Sequence, residues 1–127
     1  MKTFTKIAVR TVLILMAIFL LFVLVARSLF IVSTIRSDSM QPLIVTNSII
    51  VAVKQFHAAS LRSGDLVVVD IPTPEGRVLT VRKIEQQPDT MAGQFYLRAV
   101  NTNGYDSRQF GTLQAADIRG KVIWIIR

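Results

Sequence analysis

The sequence contains no cysteine and a single histidine, His57. Without thiols the chain has neither a disulfide framework nor a cysteine nucleophile, and one imidazole is too few for a transition-metal site. The six glycines are dispersed, so there is no glycine-rich loop of the kind that holds phosphate groups. We therefore expect no metal and no cofactor. A lone histidine without a carboxylate at a telling spacing is more typical of a surface or packing residue.

Acidic residues are missing from the first 36 positions, whereas five basic residues occur there: Lys2, Lys6, Arg10, Arg27 and Arg36. The rest of the chain has ten basic and eight acidic residues, so only +2 (ten minus eight) of the formal net charge of +7 lies outside this segment. Positive charge that is confined to the flanks of an apolar run is typical of contact with membrane lipid. It argues against nucleic acid as a partner, because the remainder of the chain is nearly neutral.

A long apolar run occupies residues 11–26, which contain no charged side chain and lie between Arg10 and Arg27. As a helix this run spans roughly 25 Å, and the apolar residues 29–32 add the length that a bilayer requires. The sequence therefore predicts a transmembrane anchor at residues 11–32.

The basic residues ahead of the apolar run predict the side of the membrane on which each part lies. Positive charge before the first span favours a cytoplasmic N-terminus. We expect a cytoplasmic basic segment at residues 1–10 and an extracytoplasmic domain at residues 33–127 in a single-pass protein of the cell membrane. The alternative is a cleavable signal peptide that ends near residue 26, although Arg27 fits a cleavage site poorly.

Beyond the anchor the chain consists of short runs rich in β-branched residues, separated by turn signals. The predicted strands are residues 48–53, 66–71, 78–85, 94–100 and 122–126. No segment has the periodicity of a soluble helix. These features predict a mostly β fold, in which a small, partly closed, barrel-like domain follows one N-terminal transmembrane helix.

Serine and lysine are the remaining candidates for chemistry. Ser39 lies in the turn-like segment SDSMQP, and a serine hydroxyl becomes nucleophilic only when a base takes its proton. A lysine serves as that base when burial lowers its pKa. Alternation along residues 78–85 places Lys83 on the same face as Leu79 and Val81, as a desolvated amine requires. The alternative from periodicity is an ordinary lysine at the rim of the sheet.

Several motifs, taken in order, resemble those of type I signal peptidases. They are Ser-x-Ser-Met-x-Pro at residues 37–42, GDLVVV at residues 64–69, the basic pair Arg82-Lys83, and DSRQFG at residues 106–111. These enzymes are membrane-anchored serine proteases that use a serine–lysine dyad on a β fold. The resemblance covers the anchor and most of residues 37–127.

The resemblance implies roles for individual residues. Ser39 would be the nucleophile that forms an acyl-enzyme with the scissile carbonyl. The Ser37 hydroxyl and the backbone N–H of Ser39 would form the oxyanion hole. The other implied residues shape the substrate cleft or the structure around it: Met40, Pro42, Asp106 and Arg108.

The lysine base has two possible registers. The family's strand carries lysine followed by arginine, whereas this sequence has Arg82 followed by Lys83. Counting back from Pro88 without a gap places Arg82 at the base position, and arginine does not release its proton at ordinary pH. A shift by one residue places Lys83 there, which is the assignment we predict. Gly104 stands where the family has a hydroxyl that orients the base, and Asp38 stands where glycine is frequent.

The resemblance implies a membrane-anchored serine endopeptidase that cleaves signal peptides from exported proteins with Ser39 and Lys83. Its partners would be signal-peptide-bearing preproteins and membrane lipid. The alternative is a catalytically weak or inactive membrane-tethered β domain that binds an extended peptide or a partner protein.

Overall fold

In the computed structural model, which describes residues 1–86 and 90–127, the chain begins with one long helix, α1, at Lys2–Leu29. None of its residues is buried against the rest of the protein. By length and composition α1 suffices to cross a membrane, a property that a signal sequence near the N-terminus shares. The helix includes both the predicted basic segment and most of the predicted anchor. The last anchor positions, 30–32, belong instead to the first strand.

Eight strands follow α1 in the described chain. They are β1 (Phe30–Thr34), β2 (Ile49–Val53), β3 (Leu66–Thr73), β4 (Gly76–Ile84), β5 (Gln94–Phe95), β6 (Leu97–Arg98), β7 (Leu113–Gln114) and β8 (Ile118–Ile126). Six of them form one antiparallel sheet in the order β1-β2-β8-β3-β4-β6, and β5 pairs with β7 separately. A short helix, α2 (Ser107–Phe110), and two single 3-10 turns connect the later strands.

Strand β3 is buried on both faces because an apolar cluster lies on each side of the large sheet. Val67, Val69 and Ile71 point into one cluster, and Val68 points into the other. Strand β3 therefore reads as a continuous apolar run rather than as an alternating one. Strand β4 is covered only at its C-terminal end, where Val81 and Ile84 are buried.

The mostly β prediction is confirmed, but the sheet does not close into a barrel. Strand β1 was not predicted, and residues 94–100 contain two short strands instead of one. Strand β8 begins four residues before the predicted start at position 122. The predicted turn around Pro88 lies outside the described residues.

Strand β4 has one side without a neighbouring strand along most of its length. It pairs with β3 from Gly76 to Lys83, whereas β6 pairs only with Lys83 and Ile84 on its other side. Within the described chain, the backbone edge from position 76 to Arg82 is thus available to another extended segment.

Candidate active site

The loop between β1 and β2 holds Ser39. Its ends are joined by backbone hydrogen bonds from the Ile35 N–H to the Ser48 carbonyl (2.8 Å) and from the Asn47 N–H to the Ile35 carbonyl (2.7 Å). Met40 and Ile44 anchor the loop because both side chains are buried in an apolar cluster. The neighbouring Ser39 is consequently fixed and only 7% exposed.

Ser37 and Ser39 present their hydroxyl groups to each other at an Oγ–Oγ distance of 2.9 Å. The Ser39 carbonyl accepts a hydrogen bond from the Asn101 N–H (2.8 Å), which ties the loop to the segment after β6. The Ser39 N–H donates no hydrogen bond to any described residue. The two residues to which the resemblance assigns the oxyanion hole are thus in contact through their hydroxyls, and the Ser39 N–H has no acceptor among the described residues.

Arg82 is the basic residue that reaches Ser39. Its Nη1 donates to Ser39 Oγ (3.0 Å), to Thr80 Oγ1 (3.0 Å) and to the Val81 carbonyl (2.6 Å). Its Nε donates to the Tyr105 carbonyl (2.8 Å). The Arg82 side chain is 4% exposed, so β4 delivers a buried and fixed guanidinium to the serine hydroxyl.

The electrostatics around Arg82 do not turn it into a base. Burial lowers its pKa, and the nearby carboxylate of Asp106 opposes this by stabilising the charge. An arginine starts from so high a pKa that the guanidinium keeps its proton at ordinary pH. Within the described chain, Ser39 Oγ is bonded only to a guanidinium donor and to the Ser37 hydroxyl, and neither accepts a proton from it as a general base does.

Lys83 lies elsewhere. Successive strand residues point to opposite faces, and Lys83 pairs with Leu66 of β3 and Arg98 of β6 rather than approaching Ser39. Its half-buried side chain forms no hydrogen bond or ion pair with the described residues. The structure thus brings Arg82 rather than Lys83 into contact with Ser39, which corresponds to the ungapped register, and the role of Lys83 as the base stays a prediction.

Asp106 organises the surroundings of Arg82. Its fully buried carboxylate accepts from Arg108 Nε (2.9 Å), from the Arg108 N–H (2.9 Å) and from the Ala99 N–H (2.8 Å). Burial raises the pKa of Asp106, but the hydrogen bonds from Arg108 and Ala99 outweigh it and hold the pKa below its ordinary value. Arg98 Nε lies 3.5 Å from the same carboxylate. The Asp106–Arg108 charge pair implied by the resemblance is present.

Gly104 occurs where a side chain has no room. A Cβ at this position would lie 2.3 Å from the Ala99 Cβ and 3.2 Å from the Ser39 Cβ. The hydroxyl that the family places here does not fit beside Ala99 without movement of the backbone. The absence of this hydroxyl agrees with the absence of a lysine for it to orient.

Three further residues that the motif comparison singled out, Met40, Pro42 and Asp38, are close to Ser39 in the chain but do not line the adjacent cavity. Met40 is a core residue, 1% exposed, and does not line the adjacent cavity. Pro42 is exposed in the turn that follows Ser39. Asp38 is exposed and forms no ion pair with the described residues, while its carbonyl accepts from Asn101 Nδ2 (3.3 Å).

A cavity of about 390 Å³ opens beside the serine pair. It lies between the chain leaving β1 and the unpaired part of β4, and it is lined by Ser33, Thr34, Ile35, Arg36, Ser37, Ile50, Val68, Val78, Leu79, Thr80 and Val81. Ser37 and Thr80 each line the cavity and also contact the Ser39–Arg82 pair. The cavity therefore leads to the serine from between two extended segments.

A serine with an adjacent hydroxyl and N–H, set on a mostly β domain with a cleft along a strand edge, defines a serine-protease-like class of protein. The family comparison agrees with this class. The chain belongs to the Peptidase S24-like family, whose model matches residues 15–123 and which includes LexA/UmuD-type and signal peptidase I relatives. A comparison with curated proteins found no match.

Sequence reasoning favoured Lys83 as the neighbour of Ser39, and one signal in the sequence pointed to Arg82 instead. The ungapped count from Pro88 already placed Arg82 at the base position. Alternation alone favoured Lys83, because two aliphatic neighbours on its own face suggested burial. The Tyr105 carbonyl and the Thr80 hydroxyl, which hold the guanidinium, carry no motif and were not predicted.

Proposed function

We propose that this chain is a membrane-tethered protein of the peptidase fold that binds extended leader segments of exported proteins. It does not cleave these segments by a serine–lysine mechanism. The observation that carries this proposal is the 3.0 Å contact from the Arg82 guanidinium to Ser39 Oγ. A guanidinium in this place stabilises negative charge on an oxygen but cannot accept the proton that an attacking serine must lose.

The cleft supports binding of an extended peptide. One side is the edge of β4, whose exposed Val78 and Leu79 flank a backbone without a strand partner on that side. A peptide that adds to such an edge gains main-chain hydrogen bonds, and its alternate side chains enter the cavity. The apolar lining contributed by Ile35, Ile50 and Val68 favours small apolar side chains at those positions.

Membrane attachment in this proposal comes from α1. The anchor comprises the part of α1 from residue 11 to residue 29 and contacts membrane lipid, the basic residues 1–10 remain in the cytoplasm, and the domain that begins with β1 lies on the extracytoplasmic side. Exposed apolar side chains on the part of the sheet that follows α1, Phe30 and Val32 of β1 and Trp124 of β8, support a position against the bilayer surface. Preproteins that carry signal peptides, inserted in the same membrane, would be the partners.

The second candidate is a signal-peptide-cleaving endopeptidase that uses Ser39 and Lys83. Family membership and the contact between the Ser37 and Ser39 hydroxyls favour it. It requires β4 to shift by one residue so that Lys83 replaces Arg82 at Ser39. Such a shift would move every side chain of the strand to the opposite face, which would remove Val81 and Ile84 from their apolar clusters.

The two candidates differ in one assay. The full chain in detergent micelles is mixed with a fluorogenic leader peptide that ends in small residues, and both binding and cleavage are measured. We expect binding, with cleavage no faster than in Ser39→Ala, and no effect of Lys83→Ala on either quantity. Arg82→Lys is the matched variant, because it places an amine at Ser39, and we expect it to introduce Ser39-dependent cleavage.

Cleavage by the unaltered chain that is lost in both Ser39→Ala and Lys83→Ala would replace the binding proposal with the endopeptidase. A failure of the leader peptide to bind at all, with the chain folded, would reject both.

A further inference from the structure

The Arg82 guanidinium is a buried charge without an ion-pair partner among the described residues. Among the residues that the structure describes, no carboxylate lies within 4.0 Å of it, and its hydrogen bonds go to two hydroxyl groups and two backbone carbonyls. Asp106 lies near enough to favour the charge of Arg82 but forms no ion pair with it. Its oxygens are bound by Arg108 and Ala99 and approached by Arg98, so its charge is already used by two other guanidinium groups.

A buried cation without a counter-charge is costly, since burial removes its hydration and neutral acceptors return only part of that loss. Burial also lowers the pKa of Arg82, which reflects the same cost. An anionic ligand that reached Arg82 would offset the cost of burying this charge. The surroundings of Arg82 therefore favour a ligand that carries negative charge.

The donors around Arg82 converge in a manner that suits a carboxylate. The Ser39 N–H has no acceptor among the described residues, and the Ser37 and Ser39 hydroxyls lie 2.9 Å apart. Arg36 lines the adjacent cavity, is exposed and forms no ion pair with the described residues. Asp38 is the opposing charge, but it is exposed to solvent, where its repulsion is screened.

The donors near Arg82 lie behind the lining of the cavity rather than along it. Ser37 and Thr80 line the cavity, whereas Ser39 and Arg82 are not in its lining and lie behind them, 7% and 4% exposed. A segment in the cavity therefore reaches these buried donors with a group that extends past the lining, rather than with backbone that continues along it. A terminal carboxylate fits this position better than an internal peptide bond.

We propose that the site binds the C-terminal carboxylate of a peptide, with Arg82, the Ser39 N–H and the Ser37 hydroxyl as its donors. This inference rests on the proposed peptide-binding function and specifies its ligand: a segment that already ends at the site, as the released product of another protease does. Charge-assisted hydrogen bonds of this kind are stronger than neutral ones, so the terminal charge should dominate affinity.

The test compares two peptides of the same sequence on the full chain in detergent micelles by calorimetry. One is an N-acetylated hexapeptide of alanine and valine with a free C-terminal carboxylate, and the other is its C-terminal amide. We expect the free acid to bind at least about tenfold more tightly than the amide. Arg82→Gln should reduce this ratio to near one, and Arg82→Lys should retain part of it.

The matched control is Arg119→Gln, because Arg119 is an exposed arginine that pairs with Asp70 away from the cavity. It should leave the ratio unchanged. If Arg82→Gln does not fold, Ser37→Ala replaces it, and we expect a several-fold lower ratio there. An amidated peptide that ends in aspartate distinguishes a side-chain carboxylate from a terminal one.

Equal affinities of acid and amide, or an acid preference that persists in Arg82→Gln, would overturn the carboxylate site while leaving peptide binding intact. Equal or tighter binding of the amidated aspartate peptide would overturn the terminal carboxylate as the recognised group. An absence of binding by any of the peptides would instead reject the proposed function itself.

Discussion

A guanidinium and an amine in the same position beside a serine hydroxyl have opposite uses. The amine of a buried lysine loses its proton readily, because burial disfavours its charge, and then accepts the proton of the serine. The guanidinium of Arg82 delocalises its charge over a planar group and keeps its proton in the same surroundings. Its bonds to Thr80, Val81 and Tyr105 hold it in place as a donor toward Ser39.

Asp106 is the residue whose ionisation we expect to stabilise the domain most directly. Its folded-state pKa lies below the ordinary aspartate value, so its contribution is present above that ordinary value, about 4, and is lost as the pH falls through the folded pKa. The free energy of unfolding in detergent, measured by denaturant titration, should decline from about pH 5 toward pH 2.

Asp106→Asn should lower that free energy by about 2–4 kcal/mol at neutral pH, because Arg108 and Arg98 lose a buried counter-charge. The variant should also flatten the acid-side decline. Asp38→Asn serves as the control, since Asp38 is exposed and without an ion pair among the described residues. A decline that is as steep in Asp106→Asn as in the parent chain would show that other carboxylates govern it.

At the scale of elements, the segment after β6 determines how closely the Ser39 loop approaches β4. The Asn101 N–H holds the Ser39 carbonyl, and Gly104 allows this segment to pack against Ser39 and Ala99. Strand β4 then places the Arg82 guanidinium against Ser39 of this loop. The edge of β4 that does not pair with β6 stays open. The cleft thus lies between the end of the edge strand β1 and the part of β4 that β6 leaves unpaired.

Gly104→Ala should destabilise the protein by about 1–3 kcal/mol, because the added Cβ would meet the Ala99 Cβ at 2.3 Å. Ala99→Gly removes that contact, so the double variant should recover part of the loss. Thermal and denaturant unfolding of the four chains in a double-mutant cycle measures the coupling. Additive effects of the two substitutions would contradict a direct clash.

The elements also show what the sequence could and could not predict. Strands β2, β3 and β4 follow from β-branched runs between turn signals, and their predicted ranges lie close to the observed ones. Strand β1 was hidden because residues 30–32 continue the apolar character of α1, and only pairing with β2 makes them extended. Tertiary contacts, rather than local pattern, decided this element.

The same limit explains the assignment of the basic pair. Periodicity fixes which residues of β4 share a face but not which face meets Ser39, because that depends on the loop after β1 and on Tyr105. Lys83 shares its face of β4 with the aliphatic residues Leu79 and Val81, which suggested burial. In the sheet, its neighbours on the adjacent strands are Leu66 and Arg98. The prediction of Ser39 as nucleophile does not depend on that face, since the motif around it is local.

For the whole molecule, one chain joins a helix of membrane-spanning character to a small sheet with a cleft. The Lys54 side chain donates to the Arg27 carbonyl (2.8 Å), and the Lys54 N–H donates to the Leu29 carbonyl (2.8 Å), so β2 holds the end of α1. This junction fixes the direction in which the domain leaves the helix. In the proposed function it keeps the cleft near the membrane in which preproteins are inserted.

The contact between Arg82 and Ser39 is tested most directly by nuclear magnetic resonance on the full chain in micelles, with arginine side chains labelled with ¹⁵N and lysine side chains with ¹³C. We predict a slowly exchanging Arg82 Nε–H, protected by the Tyr105 carbonyl, and a change in the Arg82 guanidinium signals in Ser39→Ala while the Lys83 Cε signal stays constant. A Lys83 Cε signal that shifts in Ser39→Ala, with Arg82 unchanged, would contradict the account.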